Sequence, residues 1–318
     1  MKNAKISRRS FLLGLAACSA AGILTACKGD DTPASSASTS PEAPASSVSE
    51  LEPIGLFTVE DFPKLDGSTA CIPLMAQMMA DTTGIDLEVA QSGISVSTTA
   101  YAWENFGLYP DEEYTARMLV VYEAPDYVKE ELKEANAQLE QKPIGRDALV
   151  FIVNENNPVK SLTRQQLKDI YAGKITNWKE LGGTDAPITL YTREDGSGTR
   201  EVFVERALNK GSIVQSANVV NSNGAMKTAV AQDKQSIGYV GIGHVDKNVK
   251  ALVFDKMVPS QENASNGTYK VTRLLFMNTK GAPEGITKAF IDYIYSPEGT
   301  EIIKKSGYIP TGRITALP

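Results

Sequence analysis

Residues 193–203 read REDGSGTREVF, and residues 66–74 read DGSTACIPL, a shorter version of the same device. Ahead of the first lies PITLYTR (187–193), a β-branched run that predicts a strand. Behind it, TREVFVERALNK (199–210) sets Val202, Phe203, Arg206, Ala207 and Leu208 at helical spacing. The second copy follows FPKL (62–65) and leads into ACIPLMAQMMADTTG (70–84), with Ile72, Met75, Met78 and Met79 on one helical face. Each therefore reads as strand, glycine turn, helix start. A helix start offers unpaired N–H groups and a partial positive charge, which suit an anion. Glycine lets the backbone approach a ligand closely. A turn with an N-cap accounts for one such copy. Two copies about 130 positions apart, one with Arg193 four residues before Ser197, point to small-anion binding without catalysis. Neither turn is followed by the Lys-Ser or Lys-Thr pair of a nucleotide P-loop.

Other short apolar runs predict strands at ALVFIVN (148–154), SIGYVGI (236–242) and TRLLFMN (272–278). Helices are predicted where caps precede periodic residues. Thr163 stands three positions before Gln166, a capping box, with Leu167, Ile170 and Tyr171 on one face and Gly173 as the stop. Ser296 caps a second helix, with Pro297 at its first position and Gly307 past its end. Alternation of strands and amphipathic helices gives an α/β class.

Residues 1–26 carry Lys2, Lys5, Arg8 and Arg9 ahead of an apolar run from Phe11 to Leu24. The order is that of an export signal. Arg8 and Arg9 within SRRSFL resemble a twin-arginine signal, and LTAC resembles a lipobox that leaves Cys27 as the lipidated first residue of the mature chain. The apolar run is shorter than the ~20 residues of a membrane span. Cys27 and the stretch through residue 53, rich in Ser, Ala and Pro, read as a lipid anchor and flexible tether. The remainder is expected to be extracytoplasmic and held at the cell membrane by its lipid.

The whole chain has a net charge of −6; residues 1–26 hold four basic residues and no acid, so the rest stands at −10. That balance argues against a nucleic-acid partner. Of three cysteines, Cys18 lies in the signal and Cys27 at the anchor, which leaves Cys71 as a small packed residue. One cysteine and one histidine, His244, cannot build a zinc site. His244 reads as an ordinary polar residue near a strand end. No cofactor is expected.

With these motifs in place, the chain resembles the phosphate-binding proteins of ABC transporters, the PstS-like solute receptors. The resemblance is carried by DGSTACIPL, by IGRDALVFIVNENNPVKSLTRQQLKDIYAGKITNWKELGG (144–183), by REDGSGTREVF, by SIGYVGIG and by SPEGTEIIKKSGYIP. It implies a two-lobed periplasmic-binding-protein-like (type II) fold with the anion clamped between the lobes. It divides the chain into one lobe of residues 54–147 and 246–318 and a second lobe of 148–245. ALVFIVN and SIGYVGIGHV then carry or border the crossovers. It makes Arg193 the guanidinium partner of phosphate, with Ser197, Gly198 and Thr199 donating beside it. From the facing lobe it enlists Ser68, Thr69 and the N–H of Ala70. An ABC permease is the implied partner and a monomer the implied state.

The stretch SGISVSTTAYAWENFGLYPDEEYTARMLVVYEAP (92–125) departs from the family pattern of a glycine-serine loop followed by an aspartate. Ser97, Thr98 and Thr99 replace the loop hydroxyls, whereas Arg117 stands near the place of the aspartate, which in the family accepts a hydrogen bond from protonated phosphate. Glu104, Asp111 and Glu123 are the other acceptor candidates. Sulfate, molybdate, tungstate or a phosphorylated compound therefore remain alternative ligands, and a signalling protein that keeps the fold is an alternative role. A hydrolase using Ser68 or Ser197 needs His244 as base, and no acid lies beside it in sequence.

Overall fold

The structure is a computed structural model that describes residues 56–110 and 113–311. The signal, Cys27, the tether, Asp111 and residues 312–318 lie outside the described residues. Eleven strands are present among those described. In chain order they are β1 (Leu65–Gly67), β2 (Met118–Val121), β3 (Leu139–Asn154), β4 (Ser161–Leu162), β5 (Thr189–Arg193), β6 (Asn218–Val220), β7 (Ser236–Gly241), β8 (Val249–Ala251), β9 (Val253–Phe254), β10 (Thr272–Lys280) and β11 (Ile309–Pro310).

Nine of them join one sheet in the order β1-β2-β10-β3-β7-β5-β6, with β8 and β11 also paired to β3. Pairing is parallel at both ends, β1 with β2 and β7-β5-β6, and antiparallel through the middle. The long strand β3 belongs to both halves: residues 139–148 pair with β10, and 149–153 pair with β7, Phe151 opposite Tyr239. A run such as Ala148–Val153, apolar at every position and wholly buried, needs cover on both faces.

Two large apolar cores result, beside smaller ones around Trp103 and around Ala80. One gathers Leu149, Phe151, Tyr171, Trp178, Phe203 and Tyr239. The other gathers Leu74, Met75, Met78, Met118, Leu275 and Phe290. The sequence returns the chain to the first lobe near residue 246. In the structure Val249, Leu252, Phe254, Ala264, Tyr269 and Val271 pack with the Phe151 core instead, because β8 pairs with the far end of β3 and β9 with β4.

The expected helices form at Ile72–Thr83, Arg164–Tyr171 and Pro297–Lys305, with the Thr163 capping box and the Ser296 cap both made. Two details differ from the sequence reading. Asp66 and Gly67 belong to strand β1 rather than to a turn, and a single 3₁₀ turn, Thr69–Cys71, intervenes before the helix. A side chain at Gly67 has no room, since a Cβ there meets the carbonyl oxygen of Val120 at 1.9 Å. The helix after the long motif is short, Gly198–Val202, and passes directly into a π-helical turn at Phe203–Ala207. No helix among the described residues is long and apolar enough to cross a membrane.

Candidate functional site

The REDGSGT stretch begins where β5 ends. Arg193 is 2% exposed, and its guanidinium is held on nearly every edge. Nε and Nη2 donate to the two oxygens of Glu194 at 2.7 and 2.6 Å, and the same nitrogens reach the carbonyls of Val220 and Asn221 at 3.2 and 3.3 Å. Its backbone N–H donates to the Tyr239 hydroxyl at 3.1 Å, and Tyr239 stacks on Phe203 with ring centres 3.9 Å apart. Only Nη1 is buried without a partner. Gly196 takes a left-handed φ of +82°, and a Cβ on Gly198 would lie 2.6 Å from the Thr99 hydroxyl. Ser197 caps the helix by accepting from Arg200 N at 3.3 Å. The first N–H groups of that helix, on Gly198 and Thr199, have no acceptor within it.

The facing residues are arranged by longer-range bonds. Ser68 accepts from Ala70 N at 3.3 Å, so the Ala70 N–H expected at the ligand already has a partner. Buried Asp66 accepts from Gly67 N, Ser97 N and Ser97 Oγ at 2.6 Å each, and from the Tyr114 hydroxyl. Ser97 is therefore not a free donor as the sequence suggests: both its groups are spent on holding the loop. The next residue, Thr98, is forced to φ +113° with its N–H on Gly67 O at 3.1 Å, a sparsely populated conformation for a β-branched residue. The hydroxyls of Thr98 and Thr99 are buried and unpartnered.

The two sides touch. Ala100 N donates to Gly196 O at 3.2 Å. Asn223, fully buried at the start of the helix Asn223–Gln232, donates through Nδ2 to both Thr69 Oγ1 and Thr199 Oγ1 at 3.2 Å. Its backbone N–H also reaches Thr69 Oγ1 at 3.4 Å, and its Oδ1 accepts from Gly241 N at 3.1 Å. Thr199 Oγ1 accepts a second bond from Arg273 Nη2 at 3.2 Å. A hydroxyl has two acceptor sites and one donor hydrogen. Thr69 and Thr199 each receive two donors, so their own hydrogens are left to point at a further acceptor. The cluster is thus a set of buried donors, with the charges of Arg193 and Arg273 balanced by Glu194 and Asp147. Such an arrangement can hold a dehydrated tetrahedral oxyanion through many aligned hydrogen bonds.

Of the residues expected at the ligand, Thr69, Thr98, Gly198 and Thr199 come together, and Arg193 is held against the carbonyl of Asn221, two residues before Asn223; Ser68 and Ser197 accept capping bonds and keep their hydroxyl hydrogens, Ala70 N–H is spent on Ser68, and Ser97 acts behind Thr98. Asn223, Arg273 and Asp147 were missed. A signal existed for the last two: Arg273 directly precedes the apolar run LLFM in the strand TRLLFMN, and Asp147 directly precedes ALVFIVN. Charged residues in strands that read as buried demand a partner. Arg117 is exposed at the entry to β2, and Glu123 is 62% exposed and paired with Lys129 at 3.6 Å. A cavity of about 600 Å³, lined in part by Glu123, Arg146, Gly198, Glu201 and Arg273, opens beside the cluster.

Cys71 is fully buried, as expected, and burial pushes its thiol up to about 12. His244 follows β7 as expected but is buried, with Nε2 at 3.2 Å from Ala70 O, and burial lowers its pKa to about 4. Its Nε2 lies against that carbonyl rather than against Ser68 or Ser197. No group of metal-ligating side chains is found among the described residues.

A family model described as the PBP superfamily domain matches residues 66–298. The phosphate-binding protein PstS of Bacillus subtilis (strain 168) is 38% identical over 160 residues, covering 50% of this chain and 53% of the relative. The chain thus spans about half the length of that curated relative. Among solved structures, a phosphate ABC transporter substrate-binding protein from Clostridium perfringens, with bound phosphate, is 33% identical with a TM-score of 0.65, over 78% of this chain and 99% of its own. An ABC-type phosphate transport receptor from Vibrio cholerae is 30% identical with a TM-score of 0.55, over the same shares. On the extent of these matches, the chain belongs to the PBP superfamily and, within it, to the PstS-like phosphate-binding proteins.

Proposed function

We propose that this protein is a non-catalytic receptor that binds inorganic phosphate outside the cytoplasm and delivers it to an ABC permease. The observation that carries the reading is the cluster of buried, unspent donors: Arg193 Nη1, the hydroxyls of Thr98 and Thr99, and the hydroxyl hydrogens of Thr69 and Thr199. Leaving such groups without an acceptor costs about 1–3 kcal/mol each, more for a charged one, and an oxyanion satisfies all of them together. The names of the relatives support the same ligand. In this reading residues 54–147 and the chain from β10 onward form one lobe, and residues 148–271 form the other. The protein acts as a monomer on a lipid anchor at Cys27 after removal of a twin-arginine signal, and no nucleic acid is involved.

Calorimetry with inorganic phosphate on the purified protein tests the ligand. Arg193→Ala is expected to weaken binding at least tenfold, or ~1.4 kcal/mol; equal affinity places the site elsewhere. Arg117, which stands nearest the family's aspartate in sequence, and Glu123 are both exposed, which favours a second reading: an oxyanion receptor that also takes sulfate or molybdate. Displacement of phosphate by either at equal concentration decides for it.

A further inference from the structure

Arg273 reaches the cluster at Thr199. It lies on β10, is 3% exposed, and its guanidinium carbon sits 3.2 Å from the ring centre of Tyr122. Nε and Nη2 donate to Asp147 Oδ2 at 3.2 and 3.0 Å, the oxygen that also accepts from the Tyr122 hydroxyl at 2.7 Å. Nη2 continues to Thr199 Oγ1 at 3.2 Å. Nη1 is buried with no partner, as is Nη1 of Arg193.

A purely architectural role, an ion pair tying β3 to β10, accounts for one edge of the guanidinium and for the stacking on Tyr122. It does not account for the bond to Thr199 or for a buried nitrogen with two unused hydrogens. A fork that spends one edge on its counter-ion keeps the other for a planar or tetrahedral anion.

We propose that Arg273 is a second anion-binding guanidinium, which offers Nη1 to the oxyanion held by Arg193 and, through Nη2, fills an acceptor site of Thr199 so that this hydroxyl donates to the ligand. The proposal rests on the reading of the cluster as a phosphate site. Asp147 is then the counter-ion that keeps Arg273 in place before ligand arrives, as Glu194 does for Arg193. The anion meets two pre-oriented forks whose formal charges are already balanced, and its affinity comes from hydrogen-bond geometry more than from net charge.

The test is calorimetry with inorganic phosphate on the wild-type chain and on the double variant Arg273→Met with Asp147→Asn. Changing both partners avoids an unpaired buried charge, and asparagine keeps an acceptor for Tyr122. The expected result is a folded double variant with phosphate affinity reduced at least tenfold. Wild-type affinity in a folded double variant overturns the proposal while leaving the phosphate reading intact. Failure of the wild-type chain to bind phosphate overturns the phosphate reading itself. Should the double variant not fold, guanidinium ¹⁵N signals of wild-type Arg273 are followed during a phosphate titration. A ligand contact shifts them at saturation, and signals that stay fixed sink the proposal.

Discussion

The two sides of the cluster are built by different means. The Arg193 side starts from its near neighbours and is completed by Val220, Asn221 and Tyr239. Glu194 is the next residue, Ser197 caps its own helix, and Gly196 supplies the left-handed turn. The Thr69 side is assembled from distant parts of the chain. Asp66 reaches 31 residues to Ser97 and 48 to Tyr114, while Ala70 O is met by His244 and Tyr308 from 174 and 238 residues away. One side carries a formal charge that its neighbour pre-orients; the other carries neutral hydroxyls whose placement depends on the whole fold. The first is therefore expected to tolerate loosening of the fold, and the second to fail with it.

The sharpest way to break this contrast is Asp66→Ala. It leaves two backbone N–H groups and two hydroxyls without their acceptor in a buried setting, and unsatisfied groups cost about 1–3 kcal/mol each. A loss of about 3 kcal/mol or more in denaturant unfolding is expected, together with weakened phosphate binding, because the loop carrying Thr98 and Thr99 hangs from that carboxylate. A variant with near wild-type stability and affinity would show that the loop is held by other means.

Acid offers a gentler probe of the same side. Burial lowers the pKa of His244 from 6.5 to about 4. The unfolded chain therefore takes up the proton first as pH falls, and the stability due to neutral His244 drains away from about pH 6.5 down to about pH 4. The linkage amounts to about 2 kcal/mol by pH 5. His244→Gln keeps a donor toward Ala70 O but does not titrate. Its stability should fall less over that interval than that of the wild type, by about the same 2 kcal/mol. Parallel curves would remove His244 from the account.

The same contrast explains what could be read in the residues alone. Strand β5, the capped helices at Arg164 and Pro297, and the Glu194, Gly196 and Ser197 part of the Arg193 device depend on neighbours within a few positions, and their chemistry is visible in a short window. The long-range parts were not. Ser97 looks like a ligand because its hydroxyl is available in sequence; only the fold brings Asp66 beside it. Asn223 looks like one more residue after a cap; only the approach of its helix to both Thr69 and Thr199 makes it the bond between the two sides. Residues 249–271 changed core for a similar reason, since nothing local announces that β8 pairs with the far end of β3.

The smallest expected effect lies at Thr98. Its φ of +113° carries strain of order 1–3 kcal/mol in a β-branched residue, whereas glycine adopts such a backbone freely. Thr98→Gly should therefore hold or raise stability, by up to about 1 kcal/mol once glycine's greater freedom in the unfolded chain is offset. Phosphate affinity moves the other way, because the buried hydroxyl is gone. One neutral hydrogen bond is worth about 1 kcal/mol, or roughly fivefold. Opposite signs in the two measurements mean that the strain is maintained for the sake of the ligand, as is usual where an unfavourable backbone persists at a site. Unchanged affinity in a stabilised variant would take Thr98 out of the site and leave the Thr69 side with Thr69 and Thr99 as its donors.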